Sequence, residues 1–331
     1  MKVLRRIFSY AFRGLLSILI SGLFIWLAFR SIDLKSVVGR LQSLPAEPII
    51  LCLIGQLAFQ ILHWVRWGFL LRQMGRIHWG QIFIMGAIGN AALYILPARS
   101  GELVRPTLAA RQEEINLGQA SATSVVERIV DGLLICAIFF SSLLAMKKGT
   151  TPRAAYESGL LFLAFLLVGS AILFLSSMYK EKVIRILRGI IGRLSSHWAE
   201  MFVGLYEGFI QGIKLLSVRH VLAAYLGLSI ALWMIDIVSI YWLFGILSVE
   251  LPFIAACIVI SFLAIGSLIP SGPAQLGVFE FSIILGLEIF AIRAEEAVLL
   301  ASLFHIMIIG LVLAIGILGF WLDRIKLTRD R

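Results

Sequence analysis

Nine apolar runs, at about 13–30, 48–71, 81–97, 118–146, 157–178, 219–246, 252–270, 275–292 and 296–322, leave this 331-residue chain few folds to choose from. A helix needs about 20 apolar residues to cross a hydrocarbon core, and most of the runs reach that length. In lipid only helices and closed barrels satisfy their own backbone, and runs this long read as helices. Composition agrees, with 60% of residues hydrophobic and 15% charged, against about 25% charged in soluble domains. A soluble enzyme, a disordered regulator and a disulfide-stapled secreted domain are excluded. The chain reads as an all-α polytopic membrane protein of about 6–9 membrane helices, a single integral membrane domain over 1–331 with no room for a separate soluble one.

Its net charge of +10 points to anionic lipid headgroups beside cytoplasmic loops, and not to nucleic acid. Cys52, Cys136 and Cys257 each lie inside an apolar run, with neither metal spacing nor a loop partner. Lys2, Arg5, Arg6 and Arg13 precede the first run, and no small-residue cleavage site follows it. That run reads as an uncleaved first span.

Two runs end in helix breakers: 81–97 at Pro97, and 252–270 at Pro270 in Ile-Pro-Ser-Gly-Pro. Broken helices at membrane depth are tolerated when buried in protein or lining a wet cavity. If every run crossed fully, the seven Lys and Arg of 179–219 would lie outside, against the positive-inside rule. If 81–111 is instead a re-entrant hairpin entering from the cytoplasm, and 252–292 one from the opposite face, 21 Lys and Arg lie inside and 7 outside, with Arg128 in a span. Lys147 and Lys148 stand against this assignment, but the balance favours it. It puts both termini in the cytoplasm. It also divides the chain into inverted repeats, 1–146 and 147–331, each reading span, span, broken hairpin, span. Kinked helices with coincidental spacing are the alternative. Between the hairpins, 181–216 carries apolar residues at helical spacing, from Val183 and Leu187 to Leu205 and Phe209, and reads as one amphipathic helix on the inner interface.

Three constellations could carry chemistry. In the first, Arg99, Glu102 and Arg105 recur every three residues and share a broad helical face. Two guanidinium forks flanking one carboxylate suit a phosphate headgroup; the alternative is an inconsequential loop ion pair. In the second, Glu127, Arg128 and Asp131 enter the run 118–146. Each charge near a helix centre costs about 2.5–3.5 kcal/mol, so they need partners or water. Arg128 can pair with Asp131 at i,i+3, and the group can either line a substrate path or form an ion network tying this helix to the first hairpin. In the third, Pro270, Gly272 and Gly277 break a helix, and Glu280 lies one turn into its restart. Free amides there would suit an anion, and Glu280 could accept from an arginine or a sugar hydroxyl. A purely structural turn competes with that reading. Asp236 is read as a partner for a buried arginine, His305 as a hydrogen-bonded core residue, and Trp64, Trp67, Trp79, Trp233, Trp242 and Trp321 mostly as interfacial belts. No catalytic motif, metal set or cofactor fingerprint is present.

Taken together, Leu96-Pro-Ala-Arg-Ser-Gly-Glu-Leu-Val-Arg105, Val126-Glu-Arg-Ile-Val-Asp131 and Pro270-Ser-Gly-Pro-Ala-Gln-Leu-Gly-Val-Phe-Glu280 resemble the transmembrane region of lysylphosphatidylglycerol synthases and its stand-alone relatives, the flippase-like membrane proteins. Ala274-Gln275 depart from the pattern, in which a Gly-Gly-like pair is more usual. The resemblance covers nearly the whole chain and implies a membrane protein that moves or binds lipids. The aminoacyl-transferase half of the bifunctional synthases has no counterpart in these residues, so no enzymatic activity is expected. Two functions follow as expectations. One is translocation of an amphiphile with an anionic or zwitterionic headgroup, captured by Arg99 and Arg105 and passed along Glu127, Arg128 and Asp131, with the Pro270–Glu280 hairpin as outer gate. The other is a non-transporting accessory role beside a lipid-modifying or polyprenyl-phosphate glycosyl-transfer enzyme.

Overall fold

Helices account for the regular structure of the described residues, as a chain of this apolarity requires in lipid. The computed structural model describes residues 19, 22–26, 43–112, 115–146, 153–193, 195–214, 218–247, 249–269 and 271–329. In chain order the helices are α1 (Ala46–Leu71), α2 (Trp79–Ile95), α3 (Val104–Ala109), α4 (Leu117–Ala145), α5 (Arg153–Met178), α6 (Lys180–Ile191), α7 (Ser196–Lys214), α8 (Arg219–Leu243), α9 (Phe253–Gly266), α10 (Val278–Glu288) and α11 (Ala294–Arg329). Short 3-10 segments cover Pro97–Leu103, Phe244–Ile246 and Pro273–Gln275.

Among the described residues, five stretches are long and apolar enough to cross a membrane: Ala46–Leu71, Leu117–Ala145, Gly159–Met178, Arg219–Ile246 and Ala294–Ile325. The protein is an all-α polytopic membrane protein. Of the first apolar run, only residues 19 and 22–26 are described; they are helical, and Phe24 meets the edge of Phe281 at 5.2 Å. The remainder of that run, and Lys147 and Lys148, lie outside the described residues.

The helices of the two broken segments are shorter than the five spans. At 1.5 Å per residue, the 17 residues of α2 reach about 26 Å, the 14 of α9 about 21 Å and the 11 of α10 about 17 Å, against about 30 Å of hydrocarbon. Proline forces the residue before it out of the helical region, and α2 accordingly ends at Leu96 with extended backbone. The chain then folds back so closely that a Cβ on Gly101 would collide with the Ala92 carbonyl. In the second hairpin α10 restarts at Gly277, whose φ of 84° suits a residue without a Cβ.

Packing follows the hairpins. α1 lies along α8, α2 along α11, and α9 between α4 and α10, while α10 closes against α11. The main core gathers Ile237, Ile240, Val259, Ile283, Leu300 and Phe304 from four of these helices. Large apolar side chains left outward, such as Leu144 at 86% exposure and Leu161 at 73%, form the face that lipid covers.

The stretch 181–216 corrects one expectation, because it is two helices, α6 and α7, interrupted at Gly192. α7 buries Ala199, Val203, Gly208 and Ile210 against α4, whereas α6 buries nothing. The apolar stripe at Ile190, Trp198 and Phe202 stays exposed. Ridge contacts with α4 use the small residues beside the stripe and leave the stripe itself free. Trp64 and Trp67 also depart from the interfacial belt. Both are buried, and Trp67 Nε1 donates to Thr123 at 3.1 Å.

Candidate functional site

Polar residues on apolar helices must find partners, and here they find them around one cavity of about 550 Å³. The two hairpins meet there. α1 contributes Gln56, Gln60, His63 and Arg66, at offsets of 4, 3 and 3 residues that keep one face. The first hairpin contributes Asn90, Glu102 and Arg105; α4 contributes Glu127, Arg128 and Asp131; α8 contributes Trp233 and Asp236. From the second hairpin come Ser267, Leu268, Gln275 and Phe279. Between these polar groups the wall is apolar, including Phe59, Leu93, Ile135, Phe162, Leu166 and Ile308.

Arg66 anchors the network. Its guanidinium is 0% exposed and grips Asp131 with both terminal nitrogens, the Nη2 bond measuring 2.9 Å. It also donates to Ser229 at 3.1 Å and stands 3.8 Å from Glu127. Asp131 takes a further hydrogen bond from Trp233 Nε1 at 3.0 Å. This fork-on-carboxylate arrangement is the one that lets an arginine sit in a span. Arg105 pairs with Glu127 and contacts His63 Nε2 at 3.1 Å, and Trp67 lies under its guanidinium at 4.9 Å. Asn90 donates to Gln60 at 2.7 Å. Glu127 Oε1 has no hydrogen-bond partner among the described residues.

The sequence-derived residues are therefore redistributed. Glu102 and Arg105 do line the cavity, but Arg105 is buried and already paired. The backbone of Arg99 belongs to the Pro97–Leu103 segment, and its side chain lies outside the described residues. Arg128 does not pair with Asp131; it reaches Glu102 at 2.8 Å, because Arg66 already occupies the Asp131 carboxylate. The Arg105–Glu127 and Arg128–Glu102 pairs tie α4 to the first hairpin, as the ion-network alternative expects. Asp236 meets no arginine: Gln56 Nε2 donates to it at 2.8 Å. Pro270 lies outside the described residues. Gly272, Gly277 and Glu280 stand behind the cavity wall, and Glu280 meets no arginine among the described residues. It accepts from the Gly277 amide at 2.7 Å and faces His305 at 2.7 Å, so His305 is the hydrogen-bonded core residue expected.

Arg66, His63, Gln56 and Gln60 are not among the site candidates that the sequence offers. The available signal was their common face within an otherwise apolar span.

No solved structure matches this chain. A curated relative, described as a UPF0104 membrane protein of Methanocaldococcus jannaschii, is 30% identical over 127 residues, which is 38% of this chain and 37% of that protein. The aligned portion thus spans about a third of that relative's length. The model of the lysylphosphatidylglycerol synthase transmembrane region matches residues 14–316, and the chain belongs to that family.

Proposed function

We propose that this protein binds a membrane amphiphile with an anionic or zwitterionic headgroup in the central cavity and moves it between leaflets. The observation that carries this reading is a single cavity lined both by arginines and carboxylates and by phenylalanine, leucine and isoleucine side chains. That is the chemistry of an amphiphile, with a headgroup at one end and acyl chains at the other. Because Arg66 and Arg105 are each paired, an anionic headgroup binds by displacing a carboxylate from a guanidinium that is already oriented. Arg99, in the first hairpin, serves as the capture group on the cytoplasmic side, and the second hairpin serves as the outer gate. Short breaks in both hairpins and the meeting of both at one cavity suit a midplane site in an inverted repeat of 1–146 and 147–331. The protein's own step is binding and movement, without catalysis; membrane lipids are its partners.

The test is leaflet exchange of labelled phospholipids in proteoliposomes. Wild-type protein exceeds empty vesicles, and Arg105→Ala lowers exchange at least about tenfold, the factor that ~1.4 kcal/mol of binding supplies. Exchange equal to empty vesicles for every lipid class overturns the reading. The accessory role is favoured by one observation, the wholly unburied α6. In that case surface changes on α6 abolish co-purification of a lipid-modifying enzyme, and Arg105→Ala does not.

A further inference from the structure

Behind the second hairpin, both ring nitrogens of His305 face oxygen. Nδ1 lies 2.7 Å from Glu280 Oε1 and Nε2 lies 2.8 Å from the Ala274 carbonyl oxygen. A carbonyl only accepts, so Nε2 carries a hydrogen. A neutral imidazole has one N–H, which would leave the Nδ1 lone pair facing a carboxylate. The contact is attractive only when a second hydrogen lies between them. The pair therefore holds one proton more than a neutral ring beside an ionised carboxylate, whichever partner carries it. The Gly277 amide donates to the other Glu280 oxygen and favours the carboxylate form. Phe279 stacks on the imidazole at 4.0 Å, 9° from parallel, and receives a cationic ring on its π face.

The elements packed on α11 supply little else that is charged at this point. Against α10, α9 has no Asp, Glu, Lys, Arg or His, and the Pro97–Leu103 segment against the Pro273–Gln275 turn carries Arg99 and Glu102, of which Glu102 is paired with Arg128. α2 has no Asp, Glu, Lys, Arg or His between Trp79 and Ile95, its titratable side chain being Tyr94. His63 and Arg66 of α1 are engaged in the network at Glu127 and Asp131, and Asp236 of α8 is held by Gln56. Glu280 of α10 is the carboxylate on the ring.

What the proton holds down is a strained turn. Ala274 and Gln275 have φ of 55° and 58°, a left-handed conformation that side chains with a Cβ resist. Gln275 and Phe279 line the cavity. We propose that the His305–Glu280 pair is a proton-binding site that clamps the 271–277 turn against α11 and so sets whether the second hairpin closes the cavity. On release, one proton leaves the pair for water and no other covalent bond changes. The ring then keeps a single N–H, which serves Glu280 or Ala274 but not both. When it serves Glu280, the Nε2 lone pair faces the carbonyl lone pair and the strained turn parts from α11. The clamp stands independently of what the cavity carries, and its test needs no lipid movement.

The experiment uses the full chain in nanodiscs, with the three cysteines replaced and a spin label on Leu276→Cys, which is exposed at the turn. Nitrogen NMR of labelled histidine reports the protonation of His305, identified by loss of its signal in His305→Gln. A closed turn is expected while the pair holds its extra proton. As pH rises through the pair's titration, the ratio of released to closed turn grows about tenfold per pH unit, as loss of one proton requires. Glu280→Gln keeps the turn closed without a pH step, because its amide donates to Nδ1 of a neutral ring whose Nε2–H still serves Ala274. This conservative variant decides the matter even if His305→Gln fails to fold. A wild-type label indifferent to His305 titration, or a Glu280→Gln variant that keeps the wild-type step, overturns the proposal.

Discussion

Arg66 shows what a single side chain costs and secures in this protein. A buried guanidinium within a span is tolerated because Asp131 accepts from both of its terminal nitrogens while Ser229 takes a third bond. Arg66→Met leaves the half-buried Asp131 carboxylate with Trp233 Nε1 as its hydrogen-bond donor, and should cost about 3 kcal/mol. Thermal unfolding in detergent checks this, and Asp131→Leu added to Arg66→Met should recover most of the loss, because the uncompensated charge is then gone. Ala274 offers a change of opposite sign. Its positive φ is where the family pattern has a glycine-like pair, and Ala274→Gly should stabilise by about 1 kcal/mol by relieving the clash of Cβ with its own backbone. The same melting measurement reads it.

At the scale of elements, the hairpins depend on close approach, and the surface helices on very little. Placed on Gly286 of α10, a Cβ would lie 2.9 Å from the Val259 backbone of α9. Gly286→Val should therefore push the arms apart, at about 1–3 kcal/mol for overpacking, and a lower melting temperature would register it. α6, by contrast, is joined to α7 by exposed pairs, Arg188 with Glu200 at 2.9 Å and Lys180 with Glu207 at 2.8 Å. Arg188→Ala should leave the melting temperature unchanged, since such pairs work against side-chain entropy in high dielectric. Lys180, by hydrogen bond and charge, holds the Glu207 carboxyl below the usual carboxylate range. Their pairing is in place above that range and lost as pH falls through the lowered value. Protection of α6 amides against hydrogen exchange, taken relative to the intrinsic rate at each pH, should fall with acidification, and Lys180→Ala should remove that dependence.

For the whole molecule, the charge balance predicts an orientation that cysteine labelling can read in intact cells. Arg193→Cys, in the α6–α7 connection, should react only after the membrane is opened, whereas Arg293→Cys, between α10 and α11, should react from outside. The opposite pattern would refute the positive-inside assignment. Composition, run length and the two Pro-broken segments determined the fold class and the hairpins from the sequence alone, because lipid leaves the backbone one open-ended solution and proline interrupts it at a fixed place. The interruption of 181–216 at Gly192 was not legible, since apolar periodicity continues across the break. Likewise, the sequence named Glu127 and Asp131 as charges in need of partners, but spacing along one helix could offer Asp131 only Arg128. The partner it has, Arg66, is 65 residues away on another helix. Which arginine meets which carboxylate, that Asp236 meets Gln56, and that Glu280 meets His305 were decided by the packing of α1, α4, α8, α10 and α11. Local sequence sets how many charges must be satisfied at depth; only the tertiary structure brings distant groups within the few ångströms over which they are satisfied.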